Sequence, residues 1–197
     1  MGLVVGGGPA AAQERVLDLR LLEVSDDGER TYHNLVYSHD LTSRVSLEAF
    51  SLFLPQLDDY AELGAGLGFD VLRREHWTLT LIGYLATASD GEYLEPALLA
   101  VGGEGPVTWS IFLLRYVPLG SEGIEQWLVD PAEVQVRIGG PVALGLSAYL
   151  YRPAGGNWLT KVGPKLSVAD RLGASELAVR HVNEGGWELQ LRRIFVF

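Results

Sequence analysis

Ala61-Glu62-Leu63-Gly64-Ala65-Gly66-Leu67-Gly68-Phe69-Asp70 places an apolar residue at every odd position and Glu, Gly, Gly, Gly and Asp at the even ones. A period of two describes an extended strand with one greasy face and one small or polar face. The alternation returns in Val142, Leu144, Leu146, Ala148 and Leu150, and again in Trp158, Thr160, Val162, Leu166 and Val168 opposite Lys161, Gly163, Lys165 and Ser167. No stretch carries the 3.6-residue period of an amphipathic helix, so the chain reads as all-β.

Turn-forming clusters recur at short intervals, among them SDDGER (25–30), PQLDD (55–59), SDG (89–91), GEGP (103–106), GGP (139–141), RPAGG (152–156) and NEGG (183–186). Eleven such signals divide the chain into twelve strands. The expected bounds are 15–24, 31–38, 44–54, 60–72, 77–88, 92–102, 107–117, 125–138, 142–151, 157–169, 174–182 and 187–197, with ten strands as the alternative count. Most are close to the ~9–11 residues that a tilted strand needs to cross a bilayer.

Composition removes several function classes. The chain has 197 residues, with 15 Lys and Arg against 25 Asp and Glu for a formal charge of −10. It therefore lacks the basic surface that nucleic-acid binding requires. The absence of Cys excludes disulfides, thiol nucleophiles and Cys-ligated zinc. No two His stand at i, i+2 on one face, so no metal or other cofactor is expected. The glycines at 64, 66 and 68 lie inside a strand that leads to another strand, which rules out a nucleotide-binding loop.

A closed sheet can turn its greasy face inward, as a soluble barrel does, or outward toward lipid. Trp77, Trp109, Trp127, Trp158 and Trp187 all fall beside turns and none at a strand centre. That distribution is what two aromatic girdles at membrane interfaces would leave in a sequence. In the last strand, Trp187, Leu189, Leu191, Phe195 and Phe197 share a face, and the sequence stops on Phe197. This resembles the C-terminal insertion signal of Gram-negative outer-membrane β-barrels, carried here by Phe195 and Phe197. Arg193 departs from the pattern, through a bulge or by snorkelling to headgroups. The resemblance implies a transmembrane, antiparallel up-and-down barrel in the cell outer membrane. It also implies contact with outer-membrane lipid and lipopolysaccharide, and assembly by the barrel insertion machinery. In strand count and turn length the chain is also similar to small twelve-stranded porins for acidic oligosaccharides, although its lumen charge is mixed rather than basic.

Residues 1–12 (MGLVVGGGPAAA) are small and apolar, with an A-x-A site before Gln13, and read as the remnant of a secretory signal peptide. The barrel is then expected over 13–197. Assigned to the lumen are Asp18, Arg20, Arg44, Glu48, Glu62, Asp70, Glu133, Arg137, Lys161, Lys165, Glu176, Arg180, Glu188 and Arg192, a balanced set. Of these, Arg44, Glu48, Glu62, Asp70, Arg137, Lys161, Lys165, Arg180 and Arg192 are the candidate pore-lining residues. They either set up a transverse field across a narrow pore or pair across it and seal it. Glu95 can face either way, and Pro131 can mark a bulge.

Catalysis finds little support. Ser38-His39-Asp40 is the one tempting cluster, but adjacent residues in a strand point to opposite sides and form no relay. The expected function is a narrow porin-like channel for passive diffusion of small hydrophilic solutes, with no enzymatic role. A non-conducting structural or interaction barrel is the alternative, and a lipid-active enzyme at the rim a minor one.

Overall fold

A computed structural model describes residues 15–25, 33–54, 60–121 and 123–197. The proposed signal remnant and the turns 26–32 and 55–59 lie outside these residues. Twelve strands follow in order: β1 Arg15–Ser25, β2 His33–Asp40, β3 Val45–Leu54, β4 Tyr60–Arg73, β5 Trp77–Ala88, β6 Gly91–Glu104, β7 Val107–Pro118, β8 Gln126–Gly139, β9 Val142–Pro153, β10 Leu159–Asp170, β11 Gly173–Val182 and β12 Trp187–Val196. Each pairs antiparallel with its sequence neighbour, and β1 pairs with β12 to close the barrel. No helix occurs among the described residues.

The faces are inverted relative to a soluble barrel. On β4, Glu62, Gly64 and Gly68 are buried, whereas Leu63 is 60% exposed and Leu67 and Phe69 point outward beside it. Leu81 and Leu85 on β5, Leu144 and Leu146 on β9 and Val162, Leu166 and Val168 on β10 continue this apolar exterior. The interior holds Asp18, Arg20, Glu48, Glu62, Glu95, Arg180, Glu188 and Arg192, all nearly inaccessible. A surface of leucines over a core of charges is stable only where the surroundings are hydrocarbon, which makes this a transmembrane barrel.

Two local features bear on the lumen. The pairing of β8 with β9 shifts register between Val129 and Ala132, a bulge at Pro131 that turns Asp130 inward. On β4, a Cβ at Gly64 would run into the Phe50 ring from β3, so the glycine makes room for a large neighbour inside the wall. The five Trp stand on the outer face. Trp77 and Trp109 lie toward the end that carries both termini, and Trp127, Trp158 and Trp187 toward the opposite end.

Candidate functional site

The lumen has two unlike walls. One, formed by β1 and β8–β12, is a layer of ion pairs. Lys165 Nζ lies 2.6 Å from Glu133 Oε2 and 2.8 Å from Glu176 Oε1. Arg192 grips Asp18 with two nitrogens, and its Nη1 lies 3.2 Å from Glu176 and 3.6 Å from Glu133. Arg180, fully buried, pairs with Glu188, and its Nη1 lies 3.9 Å from Asp130. Lys161 also binds Glu188, with its Nζ 4.6 Å from the centre of the Tyr149 ring. Arg20 on β1 reaches across the barrel to Asp130 on β8. Buried charges persist only when compensated in this way.

The other wall, on β3–β7, is aromatic and aliphatic. Ile82, Tyr84, Ala86, Tyr93, Ala97, Leu114 and Tyr116 form a buried cluster, with Phe50 and Phe112 packed against it. Phe50 meets Tyr84 edge-on with centroids 5.2 Å apart, and Tyr93 meets Tyr116 likewise at 5.8 Å. Such T-shaped pairs place a ring edge against the electron-rich face of its neighbour. Three carboxyl groups are set into this wall: Glu48 on β3, Glu62 on β4 and Glu95 on β6. Glu48 Oε1 accepts the Ser38 and Ser46 hydroxyls, and Glu62 Oε2 accepts that of Tyr60 at 3.2 Å. Among the described residues none of the three has a cationic partner within ion-pair distance.

Two cavities adjoin the ion-pair layer. One of about 110 Å³ opens toward the end that carries the termini and is bounded by Lys165, Glu133, Glu176 and Arg137. The other, of about 100 Å³, lies between the layer and the aromatic wall, with Arg20, Asp18 and Asp130 on one side and Tyr84, Phe50 and Tyr116 on the other.

The sequence-selected lumen residues are placed as follows. Glu48, Glu62, Lys161, Lys165, Arg180 and Arg192 point into the middle of the barrel. Asp70 sits near one end, binding Arg73 and the Thr80 hydroxyl. Arg44 lies in the exposed turn between β2 and β3, past the strand end, and Arg137 is an exposed residue at the mouth of the first cavity. Glu95 and Asp130, absent from the sequence-derived set, face inward. The lumen therefore holds eight carboxyl groups against five cations among the described residues, rather than a balanced set. Arg193 points outward with no bulge in its pairing with β11. Its guanidinium binds Ser175 and Asp170 and lies 4.9 Å from the centre of the Phe195 ring. Phe195 stacks on Phe197 with centroids 6.4 Å apart. Ser38 donates into the lumen while His39 stacks on Tyr37, so the two point to opposite sides.

Among solved structures, the KdgM porin superposes with a TM-score of 0.67 at 12% identity, over 92% of this chain and 99% of the porin. The same porin in complex with disordered oligogalacturonate gives 0.67 at 11% identity, over 92% of this chain and 99% of that one. The NanC porin gives 0.66 at 10% identity, again over 92% and 99% of the two chains. At such identities the likeness establishes the fold: a twelve-stranded barrel of the porin type. No protein-family model matches the chain, and no curated protein matches it in sequence.

Proposed function

We propose that this chain is an outer-membrane, porin-like channel for passive diffusion of small hydrophilic solutes, with no enzymatic role. One observation carries the reading: two cavities lie along a charged lumen, and members of a single ion-pair layer line both. An apolar exterior and the fold shared with the KdgM and NanC porins support it. Outer-membrane lipid and lipopolysaccharide would surround the barrel, and the barrel insertion machinery would assemble it. The KdgM porin is described in complex with oligogalacturonate, an acidic oligosaccharide. The acidic surplus of the present lumen argues against the same preference here.

The separation of Ser38 from His39 across the strand supports a non-enzymatic reading. Full compensation of the mid-lumen cations favours a second reading, a non-conducting structural barrel, because ion pairs spanning a lumen also close it. Planar-bilayer recording with the refolded full chain separates the two. Discrete low-conductance steps support the channel. Silence from protein shown to be folded and inserted would leave the structural barrel in its place.

A further inference from the structure

The cavity beside the aromatic wall is built asymmetrically, and its two sides ask for different halves of one ligand. Of the charged groups along its edge, Arg20 is engaged by Asp130, and Asp18 is held by Arg192. Glu48 is the exception: it is 6% exposed, and both of its hydroxyl partners bind Oε1. Among the described residues no hydrogen bond or ion pair reaches Oε2, and the side chain lines the cavity. A carboxylate enclosed in this way still lacks the compensation that every cation on the opposite wall has received.

Lining the same cavity are the rings of Phe50, Tyr84, Phe112 and Tyr116. Aromatic faces are negative and attract cations, most strongly when both are removed from water, and a cage of rings is a recurrent binder of alkylammonium groups. Farther up the same wall, Glu62 on β4, opposite Ala88, and Glu95 on β6, opposite Tyr84, flank β5. Glu95 is completely buried, and neither of its oxygens accepts a hydrogen bond from another residue's donor. Carboxylate and ring faces favour a positive head, aliphatic neighbours such as Leu99 and Leu114 favour a hydrocarbon body, and an anion meets only cations that are already paired.

We infer that this cavity is a binding site for small amphipathic organic cations, the ammonium group at Glu48 Oε2 and the apolar part against Phe50, Tyr84, Phe112 and Tyr116. The site would give the lumen a preference for compact amines over acids and sugars. In that respect the inference rests on the channel reading, but occupancy of the cavity does not require that solutes pass through.

Titration calorimetry on the folded full chain in detergent tests it, with benzylammonium as probe and benzoate and benzyl alcohol as controls of similar size. Benzylammonium should bind saturably, and benzoate should not. Glu48→Gln should weaken the amine by about tenfold or more, as expected for loss of one charge-assisted contact. Leu99→Trp, which fills the cavity and keeps every charge, should abolish binding, so the test survives if the Glu48 variant fails to fold. Equal binding of amine and acid, or an amine affinity unchanged by both substitutions, would overturn the site. Saturable binding in a protein that is silent in bilayers would retire the channel and keep the site, whereas a conducting protein that does not bind the amine would do the reverse.

Discussion

The wall of β1 and β8–β12 and the wall of β3–β7 fill the same lumen with opposite chemistry. On the first, five cations meet five carboxylates, and groups such as Glu176 and Asp130 serve more than one partner. On the second, rings and aliphatic chains occupy the space, and among the described residues Glu48, Glu62 and Glu95 have no cationic partner. A charge network is specified by complementarity, and it fails when one member is lost. A packed aromatic wall is specified by volume, and it responds to size more than to charge.

The difference is open to attack where the network is densest. Arg192→Met would leave Asp18 without its bidentate partner and would take from Glu133 and Glu176 one of the two cations that each holds among the described residues. Removing one side of a buried pair typically costs about 3–5 kcal/mol. Urea titration of the barrel refolded in lipid vesicles should register a loss of that order, with part of it recovered in Arg192→Met/Asp18→Leu. A cost no larger than that of a rim substitution would mean that water inside the lumen solvates these charges, and the contrast between the walls would shrink.

The aromatic wall should yield to volume. Gly64→Val drives a branched side chain into the Phe50 ring, and overpacking of this kind costs about 1–3 kcal/mol. Phe50→Leu in the same chain should recover part of it. Without that recovery, the glycine would be serving the backbone rather than making room for the ring. The smallest effect belongs outside both walls. Asp170→Asn removes the outward partner of Arg193, but the Asp170 side chain is 54% exposed. The loss should be the smallest of the three in the same titration, because solvent screens an exposed pair.

The same contrast explains what could be read from the sequence. Alternation is legible where one face is apolar and the other is not, as on β4 and β10, and the twelve turn-bounded strands agree with the structure within two residues at every end. On β5 and β7 both faces are apolar: Leu81-Ile82-Gly83-Tyr84-Leu85-Ala86 gives no sign of which residues line a chamber. The aromatic cavity was therefore invisible to periodicity. Asp130 escaped because the bulge at Pro131 reverses the parity counted back from Glu133. Arg44 was drawn inward because alternation does not announce where a strand stops. For Glu95 the signal was present, since Leu94 and Leu98 mark the lipid side and oblige their neighbour to face in.

The ion pairs also carry information about assembly. Arg20 and Asp130 are separated by 110 residues, and Arg192 and Asp18 by 174. The second of these joins the first strand to the last, across the seam where β1 meets β12. Such contacts cannot form while the sheet is still an open ribbon, because closing so long a loop must precede them. Hairpins can zip in sequence order from local pairings alone, but the charges inside stay unmatched until the ribbon bends round on itself. An unclosed barrel thus holds exposed guanidinium and carboxylate groups facing each other across a gap, and their mutual attraction favours the edges that belong together over any foreign strand.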